Sequence, residues 1–344
     1  MKLALHNLSK AVLATANQCG IVDAYGYLRR KITKSQVAIF LYHQVSPEKL
    51  YWSDSQPVSP QNFEGQIESL GKSCEFLSLD KLAEYIQNVK TLPEKAAIIT
   101  LDDGYMNNYL YAYPILKKHH IPATIFLATD YINNGKLFWF DQVKYIIHHT
   151  TTSELNLGDF GSYPLSTSSD RLHLSHNIVQ ILKTLPNKKK NLVIQKLQSV
   201  SNVDIPPDLG RSLTLSWSEV REMGNNGIAF GAHTVSHPIL TMLPPEQAKW
   251  EIIQSKKDIE KHLQQRVTAF AYPNGLLKDF NSHIANLVKE SGFACAVTAI
   301  PLLITHKANP YKLGRVMCQN PNTDKLVLSG LYADLKLHRL QSIY

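Results

Sequence analysis

A pair of adjacent carboxylates, Asp102 and Asp103, is the part of this sequence best suited to chemistry. The pair follows an apolar run, residues 96–99, that predicts a buried strand, and it precedes Gly104. Two neighbouring carboxylates repel each other and lose hydration when buried, so a packed core would not keep them without a counter-charge. A metal cation would supply that charge. For the pair alone, however, a solvated turn is the commoner interpretation, because Asp-Asp-Gly is frequent turn chemistry.

A second stretch, from His233 to His237, favours the metal site. It also closes an apolar run, residues 228–230, and its two imidazoles would point the same way if the segment formed a helical turn. One carboxylate and two neutral imidazoles suit Zn²⁺ or a similar divalent ion and leave positions open for water and substrate. The remaining carboxylate could then take a proton from water, as in a hydrolase.

His43 ends a third apolar run, residues 37–42, which also predicts a strand. Enzymes with α/β barrels place their chemistry at the carboxyl ends of the strands, so His43 could give a proton to a leaving group across the cleft. For a single histidine of this kind, a capped core residue is the commoner interpretation.

Strand-like runs alternate with amphipathic helical patterns along most of the chain, which predicts an α/β fold with a parallel sheet. About seven such strands are expected, enough for a distorted (β/α) barrel over residues 35–330. The stretch from about 131 to 215 breaks the alternation and predicts an inserted, mostly helical subdomain that walls the cleft. Residues 1–34 predict a helical extension, and residues 331–344 form a tail.

The composition fits a globular enzyme. Lys and Arg number 36 against 28 Asp and Glu, a net charge of +8, and 44% of the 344 residues are hydrophobic. The positive charge is spread along the chain apart from two short basic clusters, residues 29–31 and 188–190. This distribution argues against a nucleic-acid groove and predicts no nucleic-acid partner.

The first 34 residues show neither a convincing signal peptide nor a membrane span, because polar residues interrupt their apolar stretch. We therefore expect a cytoplasmic location. The alternative is a peripheral contact of residues 1–34 with the inner face of the membrane, through apolar side chains and the basic cluster 29–31. The oligomeric state stays open.

Three motifs, in this order along the chain, resemble those of the polysaccharide deacetylases of carbohydrate esterase family 4, the NodB-homology group. Residues 100–104 (TLDDG) are similar to the family's T-F-D-D-G, and residues 233–238 (HTVSHP) to its H-[ST]-x-x-H. Residues 270–275 (FAYPNG) are similar to the F-x-Y-P-x-G form of its third motif. The resemblance covers residues 37 to about 320, and the three motifs together are far more specific than any one alone.

The resemblance implies a role for each matching residue. Asp102 would be the general base, and a backbone N–H near Asn274 would stabilise the oxyanion of a tetrahedral intermediate. His43 matches a variant of the family in which the motif with the general-acid histidine lies before the Asp-Asp strand. Tyr272 and Pro273 would contact the substrate. The metal, most simply Zn²⁺ with Co²⁺ or Ni²⁺ as alternatives, would be bound by Asp103, His233 and His237.

The third motif departs from the family at Ala271, where many members carry an arginine that supports the catalytic aspartate. Arg315, on a late predicted strand at 313–316, is the candidate replacement and a candidate substrate contact, although a structural or surface arginine is equally compatible. No fourth motif is clear, so His306 is a rival to His43 as the general acid. The residues around His306 predict an exposed loop.

The resemblance therefore implies a metal-dependent hydrolase that removes N-acetyl or related acyl groups from amino sugars of a polysaccharide, oligosaccharide or lipid-linked glycan. One alternative is a non-catalytic carbohydrate-binding relative that has lost full activity, for which Ala271 and the missing fourth motif leave room. Another is a deformylase that acts on a lipid-linked sugar. The expected cytoplasmic location favours a precursor over a finished extracellular polymer as the substrate.

Overall fold

A computed structural model of the 344-residue chain describes residues 36–50, 56–88 and 90–318. The predicted helical extension and membrane contact of residues 1–34, and the predicted tail at 331–344, lie outside the described residues. Among the helices of the described ranges, none combines the length and the apolar character that crossing a bilayer requires.

A curled parallel sheet forms the centre of the molecule. The strands of the described ranges are β1 (Gln36–Tyr42), β2 (Glu75–Phe76), β3 (Lys95–Leu101), β4 (Ala123–Leu127), β5 (Glu154–Asn156), β6 (Ser162–Pro164), β7 (Ile228–Ala232), β8 (Ala269–Ala271), β9 (Cys295–Val297) and β10 (Val316–Met317). Seven of them follow the order β10-β1-β3-β4-β7-β8-β9, and β2 pairs with β3 beside this path. Every pairing in this sheet is parallel. The predicted distorted (β/α) barrel of about seven parallel strands is therefore confirmed, in the form of a half-barrel.

The sheet is buried on both faces, which explains why its strands read as continuous apolar runs rather than as alternating ones. In β1, Ala38, Phe40 and Tyr42 pack into one hydrophobic core, whereas Val37 and Ile39 pack into a second core on the opposite face. This division follows from the two-residue period of a strand, which sends successive side chains to opposite faces.

Helices cover the sheet and connect its strands. They are α1 (Pro60–Gly71), α2 (Leu79–Gln87), α3 (Tyr113–Lys118), α4 (Trp139–His149), α5 (Ser168–Leu182), α6 (Asn187–Ser201), α7 (Leu209–Leu213), α8 (Trp217–Asn225), α9 (Pro245–Leu263) and α10 (Ser282–Glu290). Helix α8 begins directly after Ser216, which forms a capping box with Glu219 at its amino end.

Helices α4 to α7 and the antiparallel hairpin of β5 and β6 lie between β4 and β7 in the chain. Helices α4 to α6 and the hairpin share a hydrophobic core of their own, which includes Ile146, Ile178 and Ile194. We call residues 131–215 the insertion. Its first helix, α4, reaches the carboxyl edge of the sheet.

One local prediction holds only in part. Of the strand expected at residues 313–316, Leu313 makes a parallel bridge to Val297 of β9, and Val316 begins β10. Between them Arg315 leaves the sheet, because its backbone N–H donates to Ile300 O at 2.8 Å.

Candidate active site

Five predicted site residues follow the carboxyl ends of four strands. His43 follows β1, Asp102 and Asp103 follow β3, His233 follows β7, and Asn274 comes three residues after β8. Because the strands are parallel and in register, these ends meet at one edge of the sheet. A cavity of about 300 Å³ opens there, and among the residues that line it are His43, Asp102, Asp103, His233, His237 and Asn274.

Backbone hydrogen bonds extend the sheet by one residue and hold two of the site residues. The N–H of Asp102 donates to Tyr42 O at 2.9 Å, and the N–H of His233 donates to Leu127 O at 2.9 Å. Both side chains therefore start from rigid strand ends rather than from free loops. A site built on strand ends keeps its geometry more precisely than one built on loops.

Asp103, His233 and His237 meet at one buried point. Asp103 Oδ1 lies 3.3 Å from His237 Nε2 and 3.6 Å from His233 Nε2. Two ligands bound to a tetrahedral zinc ion at about 2.0–2.1 Å are themselves about 3.3 Å apart, which matches these separations. Within the described residues, Asp103 Oδ1 is buried and accepts no hydrogen bond. An orphaned carboxylate oxygen that faces two imidazole nitrogens fits a divalent cation between them.

The protonation of His233 also fits a metal ligand. Burial lowers the pKa of its imidazole to about 4, so the ring is neutral at pH 7. Its Nδ1 lies 2.8 Å from Ala271 O, and because a carbonyl oxygen only accepts, Nδ1 carries the proton. The lone pair of Nε2 is then directed at Asp103. Burial alone would raise the pKa of Asp103, but attraction to His237 outweighs it and holds the pKa below its usual value.

The segment that carries the two histidines, residues 233–237, is a bend and not the helical turn that the sequence predicted. Thr234 and His237 have φ angles of 68° and 53°, in the left-handed region that β-branched residues such as threonine avoid. The two imidazoles converge through this conformation instead of through the 3.6-residue period of a helix. We call residues 233–237 the histidine loop.

Two contacts from outside hold the histidine loop in this conformation. Glu251, on α9, is 1% exposed and accepts hydrogen bonds from the backbone N–H groups of Val235 and Ser236 at 2.7 and 2.9 Å. From the insertion, Trp139 Nε1 donates to His237 O at 3.2 Å. The strained loop is therefore tied to two helices from different parts of the chain.

Asp102 is held by Arg315. The guanidinium donates to both carboxylate oxygens at 2.7 Å, and its Nε donates to Thr298 O at 2.8 Å. Arg315 is 1% exposed and directly precedes β10. Its guanidinium supports Asp102, which is the role of the third-motif arginine in whose place this chain has Ala271. Burial alone would raise the pKa of Asp102, but the charge of Arg315 outweighs it and holds the pKa below its usual value. Asp102 is therefore ionised, as a base must be.

The prediction that Arg315 and Tyr272 contact the substrate is wrong for their side chains. Both are 1% exposed, and the Tyr272 hydroxyl donates to Tyr311 O at 2.9 Å. Pro273 is buried as well. None of these three residues lines the cavity. Asn274 does line it, with a left-handed φ of 58°, and the donation of a backbone N–H near it to an oxyanion stays a prediction.

Of the two candidate acid histidines, only His43 lies at the cleft. His43 is half-buried and lines the cavity, and its carbonyl oxygen accepts a hydrogen bond from Asn108 Nδ2 at 2.9 Å. His306 is exposed in a turn and does not line the cavity. The position of His43 is compatible with proton donation into the cleft, and that role stays a prediction.

Sequence reasoning missed the residues that the insertion contributes to the cleft. Phe140, Asp141 and Lys144, all on α4, line the cavity. The Tyr105 hydroxyl donates to Asp141 Oδ2 at 2.9 Å, and the Phe140 ring packs edge-on against His237 with ring centres 5.4 Å apart. In the sequence, the aromatic run at residues 138–140 is a signal for this wall of the cleft, but it does not identify Asp141 or Lys144.

A second trio with metal-ligating groups, Glu64, Glu68 and His119, lies near the surface. Glu64 is already paired there with Lys118 at 2.8 Å and with His119 at 2.9 Å. Because these contacts compensate its charge, the buried trio remains the candidate metal centre.

The sequence matches a family model described as polysaccharide deacetylase over residues 89–296, more than half of the chain. The matched part contains Asp102, Asp103 and the histidine loop, whereas His43 precedes it and Arg315 follows it.

Individual proteins are similar as well. A poly-beta-1,6-N-acetyl-D-glucosamine N-deacetylase of Staphylococcus epidermidis is 23% identical over 273 residues, which cover 78% of this chain and 71% of that protein. The solved structure of the Streptococcus pyogenes deacetylase PplD in complex with acetate has a TM-score of 0.58 at 20% identity and covers 86% of this chain and 99% of that chain. The structure of IcaB from Ammonifex degensii has a TM-score of 0.58 at 17% identity and covers 86% of this chain and 97% of that chain. At these identities the two structures show a shared fold.

Proposed function

The chain belongs to the polysaccharide deacetylase family, and from this membership we propose that it is a metal-dependent N-deacetylase of a glycan. Water would be added across the amide of an N-acetylated amino sugar, so that the C–N bond breaks and acetate and a free amine leave. The observation that carries the proposal is the convergence of Asp103 and the two histidines of the histidine loop on one buried point beside the ion-paired Asp102.

Asp103, His233 and His237 would hold the metal. Their one carboxylate and two imidazoles suit Zn²⁺, with Co²⁺ or Ni²⁺ as alternatives. When bound, such an ion would polarise the acetyl carbonyl and lower the pKa of a water molecule. The proton on Nδ1 of His233, held by the Ala271 carbonyl, keeps Nε2 free to bind.

Asp102 would be the general base and take the proton of the attacking water on a carboxylate oxygen. Arg315 occupies one lone pair on each oxygen, and a carboxylate has further acceptor sites for that proton. The two hydrogen bonds from Arg315 also fix the plane of the Asp102 carboxylate. A base that acts at one position needs such a fixed orientation.

His43 would give a proton to the nitrogen of the leaving amine from the β1 side of the cavity. A backbone N–H near Asn274 would donate to the oxyanion of the tetrahedral intermediate. Phe140 of the insertion would exclude bulk water from the face of the site beside His237, where its ring already packs.

The relative from Staphylococcus epidermidis is named for poly-beta-1,6-N-acetyl-D-glucosamine. We therefore propose β-1,6-linked N-acetylglucosamine oligosaccharides as the first substrates to test. Purified wild type should release acetate from them, and chelator should abolish the release until Zn²⁺ or Co²⁺ is added back.

Asp102→Asn and His233→Ala should each lower acetate release by about 10²–10⁴-fold. His43→Ala should lower it as well, whereas His306→Ala serves as the matched control and should match wild type. Undiminished release in both Asp102→Asn and His233→Ala would refute the mechanism. Tight oligosaccharide binding without acetate release, with metal supplied, would instead identify a binding-only relative.

A further inference from the structure

A second cavity, of about 560 Å³, lies behind the site on the other side of α4. Helix α4 separates the two spaces, because Trp139 and Gln142 line the second cavity whereas Asp141 and Lys144 line the first. Ser236 of the histidine loop lines the second cavity too. Its volume lies in the range of about 300–1,000 Å³ that is typical of ligand sites in proteins.

One face of α6 forms a polar wall of this cavity. The residues it contributes recur at helical spacing, and three of them are Asn187, Lys190 and Asn191. Carboxamides dominate the polar lining, which holds no carboxylate among the described residues. The five carboxamide side chains that line the cavity are Gln142, Asn187, Asn191, Gln195 and Gln198.

Lys190 is the unusual member of this lining. Its side chain is 6% exposed, and its Nζ lies 4.7 Å from the centre of the Trp139 ring. Within the part of the chain that the structure describes, no hydrogen-bond acceptor or ion-pair partner contacts this ammonium. Burial lowers the pKa of Lys190 to about 8, and Glu251 attracts it only from a distance while its carboxylate binds the histidine loop. A buried cation without a close counter-charge is costly, so its retention points to a ligand.

We propose that this cavity binds an anionic saccharide, a sugar unit that carries a carboxylate or a phosphate, with the anion against Lys190 and the hydroxyls on the carboxamides. Carboxamides both donate and accept hydrogen bonds, as neighbouring sugar hydroxyls require. Lys190 already covers the Trp139 ring, so recognition is polar and does not use sugar stacking on that face. The saccharide part of the proposal rests on the proposed function, whereas the anion part rests on Lys190.

Calorimetric titration of the full-length protein with glucuronate, glucose 1-phosphate, glucose and inorganic phosphate tests the site directly. Both charged sugars should bind and glucose should not. Lys190→Gln should weaken charged-sugar binding by about tenfold to a hundredfold, because a charge-assisted contact is lost. Lys188→Gln, an exposed lysine two positions earlier, is the matched control and should bind as wild type does.

A second variant keeps the test valid if Lys190→Gln folds poorly. Asn187→Asp introduces a carboxylate three residues before Lys190, in the first turn of α6, where a negative charge stabilises a helix. It should leave the melting temperature unchanged or raised and still weaken charged-sugar binding about tenfold or more, because it supplies the missing counter-charge.

Three results would overturn the proposal. They are no binding of either charged sugar, equal charged-sugar binding by wild type, Lys190→Gln and Asn187→Asp, or binding of glucose as tight as that of the charged sugars. Binding of inorganic phosphate alone would overturn the saccharide part. Asp102→Asn separates this proposal from the deacetylase proposal. It should bind charged sugars as wild type does, so lost acetate release with intact binding supports two independent sites. An active deacetylase that binds no charged sugar refutes only the second site.

Discussion

Two carboxylates that are neighbours in sequence serve different partners in the structure. Asp102 faces Arg315, whereas Asp103 faces His233 and His237. The backbone makes this division possible, because Asp103 has a φ of 76° and Gly104 one of 78°, so the chain turns sharply at the end of β3. A residue other than glycine reaches this left-handed region at some cost, and aspartate tolerates it better than most. The two carboxylates of the pair therefore have separate partners, the Arg315 guanidinium for Asp102 and the two imidazoles for Asp103.

Arg315→Met should destabilise the protein and nearly abolish its activity. The variant leaves the Asp102 carboxylate buried without its partner, and breaking a buried ion pair in this way costs about 3–5 kcal/mol. The released carboxylate also loses its fixed orientation, which we expect to lower kcat by about 10²-fold. Chemical denaturation and acetate release would measure the two effects.

Arg211→Met is the matched control for this variant. Arg211 pairs with Asp208 at 3.1 Å, but both side chains are more than half exposed, so the change should stay within about 0.5 kcal/mol. Equal stability and equal activity of Arg315→Met and Arg211→Met would show that Arg315 does not position Asp102.

Helix α9 contributes to the candidate metal centre without supplying a ligand. Its Glu251 accepts two backbone N–H groups and the Ser236 hydroxyl, and these bonds hold the left-handed histidine loop. Outer partners of this kind orient the ligands of a metal site. The loop conformation therefore depends on how α9 packs beside β7, and not on the loop sequence alone.

Glu251→Gln should weaken Zn²⁺ binding by about 10–100-fold, which is the usual effect of losing an outer partner of a metal ligand. Both loop N–H groups donate to the same oxygen, Oε2, so an amide oxygen could still accept them, but these bonds would lose the negative charge that strengthens them. The Ser236 hydroxyl, which now donates to Oε1, would have to accept from the amide instead. Competition with a chromophoric chelator would measure the affinity. Glu246→Gln, exposed on the same helix, should bind Zn²⁺ as wild type does, and an unchanged affinity in both variants would contradict a role for Glu251.

The half-barrel and the insertion meet along α4, one side of which faces the candidate metal centre while the other side faces the second cavity. Its contacts with the histidine loop include the hydrogen bond from Trp139 to the His237 carbonyl. The insertion therefore forms part of the active-site wall. The insertion also buries Lys190. Because burial disfavours the charged ammonium, this residue lowers the free energy of unfolding of the whole protein.

Lys190→Met should stabilise the protein at pH 7 by about 1–3 kcal/mol, because one pKa unit corresponds to about 1.4 kcal/mol. The folded pKa of Lys190, about 8, lies below its ordinary value of 10.5, so the cost of the buried charge is fully present below pH 8. Between about pH 8 and 10.5 the folded protein has lost this proton and the unfolded chain has not, so wild type gains stability relative to the variant.

Denaturant unfolding at a series of pH values would measure this difference. The gap in unfolding free energy between Lys190→Met and wild type should narrow above about pH 8, whereas Lys188→Met should follow wild type throughout. A gap that stays constant from pH 7 to 10 would mean that Lys190 is not a charged, buried group in the folded protein.

The amino-acid sequence by itself determined the strands, the parallel α/β fold and the four side chains most important to the site. These follow from local patterns, since apolar runs identify buried strands and the motifs place Asp102, Asp103 and His233 directly after strand ends. His237 follows His233 by four residues in the same motif. Side chains at strand ends meet in any parallel sheet, whatever the details of its packing.

Only the tertiary structure decided which distant residues support these four. Arg315 reaches Asp102 across 213 positions of chain, and Glu251 holds a histidine loop whose left-handed conformation no helical spacing predicts. Lys190, one of three consecutive lysines, is buried while Lys188 and Lys189 are exposed. Such contacts depend on the register of the sheet and on how helices pack against it, and neither is encoded in a short stretch of sequence.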